Sequence, residues 1–261
     1  MKDATSISLR NRTGMQMSPA DSQDLLEAGG GQFAESLPPD PLRGGLAETR
    51  AEYIAEAEAL GTVPAPVTPV GVAKSAAKLV KGERLQVFMD KLSERAAYER
   101  GGTRLYDALL TKYRAEFGNQ KSSRTKRDQT PVTEATLTTF RNQEADHFRL
   151  VSAAIQQLGG DPTAQTPSAD AVGMMSTGLI QTVTDPRTSI AQCVAAVLTA
   201  ELTDVASWDL LAQLADALNQ KEMARDFRDA LAHEEQHLQV IRHWHTALVL
   251  GQSGATPAVG H

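Results

Sequence analysis

The sequence has little cysteine and no long run of apolar residues. Its single cysteine, Cys193, excludes an internal disulfide framework, a zinc finger built on cysteine pairs and a rubredoxin-type iron site. We interpret it as a small core residue. No apolar stretch approaches the ~20 residues that a membrane span needs, and the polar first residues lack the apolar block of a signal peptide. The sequence therefore predicts a reduced, cytoplasmic protein that does not cross a membrane.

Charge is distributed unevenly along the 261 residues, whose net charge is −6. Residues 71–127 carry 14 basic and 6 acidic side chains. An excess of positive charge can attract polyanions such as nucleic acid, but a block of this kind is more often a solvated helix face. We favour the solvated face and do not expect a nucleic-acid partner.

Composition separates residues 1–82 from the rest of the chain. They contain seven of the 12 prolines, a run of three glycines and few large apolar side chains. Such a segment buries too little apolar surface to offset its ordering entropy, so we predict a largely irregular N-terminal arm that ends in a Pro-rich linker. One amphipathic stretch, 46–60, is a candidate helix. The arm is either disordered or a strap onto a partner subunit, and residues 251–261 are predicted to be a disordered tail.

From residue 83 onward, apolar residues recur with the period of a helix, which predicts four long helices over about 83–117, 131–158, 188–218 and 220–250. Short connections make the first two antiparallel, and likewise the last two. The connection 159–187 is long enough to run the ~45 Å length of such a helix, so the second and third helices are expected to be parallel. We also expect a short helix near 170–181. The predicted fold is all-α, a four-helix bundle over 83–250 with one long crossover.

One glutamate interrupts the apolar stripe of each long helix near its middle, and two of the four glutamates are followed by a histidine at i+3: Glu99, Glu144 with His147, Glu201, and Glu234 with His237. A bundle would bring the four to a common layer, where unpaired carboxylates cost several kcal/mol each. Two divalent cations would neutralise four carboxylates, and neutral imidazoles would complete the ligand set. The alternative is that these residues are hydrogen-bonded polar groups of the core, or that the glutamates face water.

These residues resemble the ligand set of the ferritin-like di-metal carboxylate superfamily, which includes bacterioferritin, rubrerythrin and the small subunit of ribonucleotide reductase. The resemblance covers about 83–250. Two Glu-x-x-His pairs are more similar to bacterioferritin or rubrerythrin than to ferritin. The chain also resembles bacterial ferritin-like domain proteins that share an ERxGxRLY helix and a GGDPT…TPSAD crossover, a similarity that names no substrate.

The resemblance implies a role for each candidate ligand. Glu144 and Glu234 would bridge two metal ions, with Glu99 and His147 completing one site and Glu201 and His237 the other. Oxygen and nitrogen ligands without a thiolate favour two iron ions, with manganese as the alternative. The implied activity is that of an oxidoreductase, peroxidase or ferroxidase that reduces hydrogen peroxide or dioxygen, with a role in oxidative stress.

The same resemblance bears on partners. Because the chain has no Cys-x-x-Cys module, electrons would come from a separate electron-donor protein. We expect a homo-oligomer, a dimer rather than a cage. Two other functions stay open at this point: iron oxidation and storage in a ferritin-type cage, and a non-enzymatic binding protein whose metal is structural.

Several residues near the candidate ligands leave alternatives open. Asp204, one turn after Glu201, is either a seventh ligand or an acceptor for a histidine N–H, and we favour the acceptor. Tyr106 is a candidate catalytic residue because it lies two turns after Glu99, as Trp208 does after Glu201. Either aromatic side chain could relay electrons or line a pocket, although packing is the more common role.

Two further features of the motifs have no fixed interpretation. The pair Gly101-Gly102 leaves space for an oxidant or substrate, or else serves close helix packing. In several relatives an Asp precedes the Glu-x-x-His motif, whereas here Gln143 and His233 stand in that position. The hydrogen-bond partners of His147 and His237 therefore stay undetermined.

Overall fold

The computed structural model describes residues 50–51, 53–58, 60–61, 63–64, 85–118 and 130–254. Within these ranges the chain is helical and has no strand, which confirms the all-α prediction. The principal helices are α1 (Leu85–Phe117), α2 (Glu134–Gln157), α3 (Pro167–Thr184), α4 (Ile190–Ala217) and α5 (Lys221–Ser253). Of the predicted helical stretch 46–60, residues 50, 51 and 53–56 are helical. The other predictions for the arm and linker lie outside the described residues.

Side-chain caps fix where helices α2 and α4 begin. The hydroxyl of Thr133 accepts a hydrogen bond from the main-chain N–H of Thr136, so α2 begins at Glu134 and not at residue 131 as predicted. Ser189 and Gln192 form a reciprocal capping box at the start of α4. At both boundaries a side-chain hydroxyl accepts a hydrogen bond from a main-chain N–H in the first turn of the helix, which has no partner within the helix.

The predicted end of the last helix was wrong. We expected Gly251 to stop it, but α5 continues to Ser253. The residue in the left-handed conformation is Gly254, with φ of 71°, and this conformation suits glycine at a helix C-terminus. Residues 255–261, which include most of the predicted tail, lie outside the described residues.

The crossover contains a longer helix than predicted. Helix α3 has 18 residues, with Thr166 as its N-cap and a proline at its first position. It runs parallel to α1, because the hydroxyl of Ser168, at its start, bonds to the carboxylate of Asp90 and its other end lies where Lys112 bonds to the main-chain oxygen of Asp185. The crossover thus returns the chain to the level at which α1 ends and α2 begins.

Contacts between the long helices give their directions. Arg114 bonds to Glu134 and Arg141 to Asp107, so α2 runs opposite to α1. Helix α4 also runs opposite to α1. Tyr106 contacts Glu201, whereas Arg95, earlier in α1, contacts Asp204, which lies later in α4. Helices α2 and α4 are therefore parallel, the arrangement expected from the length of the connection between them.

The apolar core consists of two clusters at different heights along the helices. One packs the C-terminal half of α1 against the N-terminal halves of α2 and α4 and the C-terminal half of α5. The other packs the remaining halves together. Cys193 is fully buried in the first cluster, as expected of a small core residue. Between the two clusters lies a layer of buried polar side chains.

One helix among the described residues, α4, is long and apolar enough to span a membrane by length and composition alone. Half of its most apolar window is buried inside the protein. It packs against α1, α3 and α5 and carries two buried acidic side chains, Glu201 and Asp204. These contacts are those of a core helix and agree with a soluble protein.

Candidate metal centre

The four long helices bring all six predicted ligands together in the layer between the two apolar clusters. Every one of these side chains is buried, with no more than 4% of its surface exposed. They form two groups whose ligand atoms lie within 4.8 Å of one another, and each group could hold a metal ion: Glu99, Glu144, His147 and Glu234 in one, and Glu144, Glu201, Glu234 and His237 in the other. The two groups share Glu144 and Glu234, the pair expected to bridge.

Both histidines present Nδ1 to the carboxylates. Nδ1 of His147 lies 2.7 Å from Oε1 of Glu234 and 3.8 Å from Oε2 of Glu99. Nδ1 of His237 lies 3.1, 3.4 and 3.5 Å from oxygens of Glu234, Glu144 and Glu201. Neither Nδ1 atom has a hydrogen-bond partner outside these carboxylates, so each could donate its lone pair to a cation placed between them.

The opposite nitrogen of each histidine is held by the residue that precedes the other Glu-x-x-His motif. Nε2 of His237 lies 2.9 Å from Oε1 of Gln143, and Nε2 of His147 lies 3.2 Å from Nδ1 of His233. Burial, together with the neighbouring His147 and His237, lowers the pKa of His233, which keeps its ring neutral and able to accept. Because an amide oxygen only accepts, Nε2–H of His237 donates to Gln143, and this tautomer leaves its Nδ1 toward a metal. His147 has the same tautomer when Nδ1 of His233 accepts.

Each of the two aromatic side chains singled out in the sequence forms a hydrogen bond to the glutamate of the other helix. The hydroxyl of Tyr106, on α1, donates to Oε1 of Glu201 on α4 at 2.5 Å. Nε1–H of Trp208, on α4, donates to Oε1 of Glu99 on α1 at 2.8 Å. Burial and the nearby carboxylates raise the pKa of Tyr106 well above its usual value, so the hydroxyl keeps its proton. Each bond leaves one oxygen of its glutamate, Oε2, for a metal.

Sequence reasoning missed one residue of the site, Arg95. Its side chain is 2% exposed, and its guanidinium lies 3.0 Å from Oε1 of Glu99 and 2.5 Å from Oδ1 of Asp204. Asp204 is buried but belongs to neither metal-binding group, and it faces Arg95 rather than a histidine. The signal was present in the sequence: Arg95 lies one turn before Glu99, between Leu92 and Glu99 on the core-facing stripe.

Charge in the layer adds up to what two dications would neutralise. Five carboxylates are buried there, and the guanidinium of Arg95 offsets one of them. With neutral imidazoles, four negative charges remain. Buried charges of one sign are costly unless they are paired or coordinate a metal, so a layer with these four carboxylates ionised could hold cations.

The pKa values of these carboxylates show the cost of collecting them without a cation. Burial, and then repulsion by neighbouring carboxylates, raises the pKa of Glu144 well above its usual value. Burial likewise raises the pKa of Glu99, against the opposing effect of Arg95. Burial alone would raise the pKa of Glu234 too, but contacts with both imidazoles outweigh it and hold that pKa below its usual range.

His237 shows the opposite response to the same charges. Burial lowers its pKa, but the carboxylates of Glu144, Glu201 and Glu234 outweigh this effect and raise the pKa to about 12. In the absence of a metal, a proton on Nδ1 therefore takes the position that a cation would occupy. A metal at this position competes with that proton.

The unpartnered atoms of the layer match a pair of cations. Eight candidate ligand atoms are buried and have no hydrogen-bond partner outside the cluster that they form: both oxygens of Glu144 and of Glu234, Oε2 of Glu99 and of Glu201, and Nδ1 of His147 and of His237. Buried polar atoms are rarely left without a partner. Each residue of each four-residue group supplies one such atom, so two ions would satisfy all eight. The donor set fits a dinuclear centre.

Of the two glycines, Gly102 makes room for a candidate ligand. A Cβ atom at Gly102 would lie 2.1 Å from Oε2 of Glu144, whereas a Cβ at Gly101 would meet no heavy atom within 4 Å. The carboxylate of Glu144 can therefore reach the centre only because residue 102 has no side chain. Gly101 lies beside open space instead.

No known protein family, curated protein or solved structure matches the chain. The resemblance to ferritin-like di-metal proteins therefore rests on the residues themselves. What the structure adds is their geometry: two overlapping, buried Glu/His groups that could hold metal.

Proposed function

We propose that the chain is a ferritin-like four-helix bundle whose central layer holds two metal ions and reduces hydrogen peroxide or dioxygen. The observation that carries the proposal is the pair of buried groups that share Glu144 and Glu234. The helix directions support the fold assignment, because two parallel long helices joined by a long crossover are the arrangement of ferritin-like folds.

The donor atoms favour iron, with manganese as the alternative. All eight unpartnered atoms are carboxylate oxygens or imidazole nitrogens, and the only cysteine lies in an apolar cluster away from them. Carboxylate-rich sites without thiolate suit iron and manganese better than zinc. Two iron ions, when bound, would supply the electrons that reduce the oxidant.

The protein side chains prepare the site for that chemistry in three ways. Tyr106 and Trp208 each hold one oxygen of a terminal glutamate, so the remaining oxygen has a fixed direction. Gln143 and His233 hold the Nε2 atoms of the two histidines, so that both rings turn Nδ1 toward the carboxylates. The apolar clusters above and below exclude water. We assign Tyr106 the role of positioning Glu201, since its hydroxyl donates a hydrogen bond to that carboxylate.

Electrons for repeated turnover would come from a separate protein. The single cysteine is buried, so the chain cannot form a dithiol of its own. A cytoplasmic location, argued from the single cysteine, and a homodimer are parts of the same proposal.

The experiment is anaerobic loading with ferrous ion followed by addition of either hydrogen peroxide or dioxygen in separate reactions. We expect the bound iron to be oxidised within seconds, and turnover of peroxide to continue when a chemical reductant is supplied. Continued uptake of iron far beyond two ions per chain, with elution of the protein at the size of a cage, would indicate iron storage instead. Bound metal that neither oxidant changes would indicate a structural site.

A further inference from the structure

Helices α1 and α4 each carry a glutamate of the layer, Glu99 and Glu201, but the residues around the two glutamates differ. Counting from Glu99 and Glu201, the aromatic residue two turns later is matched, but Arg95 corresponds to Val197 and Gly102 corresponds to Asp204. Arg95 and Asp204 form a buried ion pair, which fills one side of the layer. The equivalent pair on the other side, Gly102 and Val197, has no polar side chain. The two sides of the centre are therefore unequal.

A small void adjoins Gly102, the residue that corresponds to Asp204. It has a volume of about 10 Å³ and lies among α1, α3 and α4, where Gly101, Gly102 and Ala200 line it. This is close to the smallest volume that holds one water molecule. Gly102 borders both this void and the buried, unpartnered carboxylate of Glu144. A molecule the size of water or dioxygen in the void would be separated from Glu144 by one residue without a side chain.

A larger groove between α1 and α3 opens from the void to the surface. Its volume is about 470 Å³, and it shares Gly101, Ser176 and Ile180 with the void. This volume is within the range of sites that bind small molecules. The groove is therefore a ligand-sized space at the surface. The void lies next to it, and Gly102 lies between the void and the candidate ligand Glu144.

The charged side chains of the groove favour an anion. Arg100 and Arg104, one turn apart on α1, line it together with Asp170 of α3. Neither arginine forms an ion pair with any residue in the part of the chain that the structure describes, and both are exposed. Two positive charges and one negative charge leave a single positive charge. The guanidinium fork pairs well with a carboxylate.

Apolar side chains complete the groove. Phe148 and Met174 line it, as do Ala96 and Ala97 of α1. A ligand that fits both features has one carboxylate and an apolar body. The arginines would hold the carboxylate, and the body would lie over Gly101, where a Cβ would meet nothing within 4 Å.

We propose that the groove between α1 and α3 binds a small organic monocarboxylate next to the metal centre, with Arg100 and Arg104 as its anchors. The position beside a working centre rests on the proposed function, whereas the binding itself depends only on the groove. The void at Gly101 and Gly102 gives a small oxidant a path from the groove toward Glu144.

The test measures binding of hexanoate and benzoate, with hexanamide and benzamide as neutral counterparts, to the full chain by isothermal titration and ligand-observed NMR. We expect at least one of the two acids to bind with Kd below about 1 mM and its amide to bind at least tenfold more weakly. The double variant Arg100→Gln/Arg104→Gln should lose at least tenfold in affinity. Arg242→Gln, at an exposed arginine of α5, should not.

A second pair of variants tests the path at Gly101. Gly101→Leu should weaken binding of the acid and slow oxidation of bound ferrous ion. Gly178→Leu, at an exposed glycine of α3 that lines neither the groove nor the void, should do neither, and both variants should keep the metal content of the wild type. The proposal is overturned if neither acid binds, or if the double arginine variant binds as tightly as the wild type. Failure of metal loading with intact carboxylate binding would refute the proposed function alone.

Discussion

Nε2 of His237 lies 2.9 Å from Oε1 of Gln143, the residue that precedes the Glu-x-x-His motif of the opposite helix. His147 and His233 form the reciprocal contact. Each motif thus supplies a metal-facing histidine and also orients the histidine of the other motif. Helices α2 and α5 must be in register for either contact to form, so the folding of the two helices and the preparation of the site are coupled.

Replacing Gln143 by leucine should weaken metal binding about 10- to 100-fold, because the imidazole of His237 loses the acceptor that fixes its tautomer. Competition with a chelator measures the change. Gln156→Leu, at an exposed position of the same helix, is the control and should bind metal like the wild type. Equal affinities in the two variants would show that the contact does not orient the histidine.

The ion pair between Arg95 and Asp204 should appear as a coupling energy in the metal-free protein. Arg95→Leu leaves a buried carboxylate without its partner, a change that typically destabilises by about 3–5 kcal/mol. Asp204→Leu leaves the guanidinium with only Glu99. The double variant should lose less stability than the sum of the single variants, by about 1 kcal/mol or more. Additive losses in urea unfolding would contradict a direct pairing.

The two adjacent glycines should respond differently to alanine. Gly101→Ala should stabilise α1 by up to about 1 kcal/mol, because it removes an unfavourable helix residue and meets no neighbour. Gly102→Ala should fold but lose metal, since its Cβ would displace the carboxylate of Glu144. Thermal unfolding and elemental analysis measure the two effects. Retention of full metal content in Gly102→Ala would argue against Glu144 as a ligand.

Much of this centre could be predicted because a buried carboxylate is conspicuous on an apolar stripe. Glu99, Glu144, Glu201 and Glu234 were found from periodicity and mid-helix position alone, and the structure groups them as expected. The connection of 29 residues was likewise enough to predict that the helices on either side of it run parallel.

The rest depended on contacts between helices, which periodicity does not specify. Arg95 was overlooked because an arginine beside a glutamate on a helix is usually solvated. Whether Asp204 faces a metal, a histidine or an arginine depends on the rotation of α4 against α1. The ends of α2 and α5 differed from the prediction by a turn or less, because Thr133 and Gly254 compete with nearby residues of similar capping ability.

Stability of the metal-free protein should fall as the pH rises from about 5.5 to 8. Burial first, and then neighbouring carboxylates, raise the pKa of Glu144, whose ordinary value is 4.5. A raised pKa means that the folded protein keeps protons that the unfolded chain releases, so each such group opposes folding increasingly above about pH 4.5. The raised pKa of His237 acts in the same direction: its contribution is complete below about pH 6.5 and declines above it.

Glu234 acts in the opposite sense but in a different pH range. Because its pKa is lowered, its stabilising contribution is complete above about pH 4.5 and is lost only in more acidic solution. Urea midpoints at pH 5.5, 6.5 and 8 test the balance. Addition of metal should reverse the trend, since metal displaces protons from the ligands and binds more tightly as the pH rises. A midpoint of the metal-free protein that increases with pH would contradict the account.

The most direct test of the dinuclear centre is the number of ferrous ions bound per chain under anaerobic conditions, in the wild type and in variants of a shared and an unshared ligand. The wild type should bind about two ions. Glu144→Ala should lose both, since both groups include Glu144, whereas Glu201→Ala should lose one and keep the site that contains His147. Far-ultraviolet circular dichroism should show helical content close to the wild type in both. No tightly bound metal in the wild type, or about two ions in Glu144→Ala, would contradict the central claim.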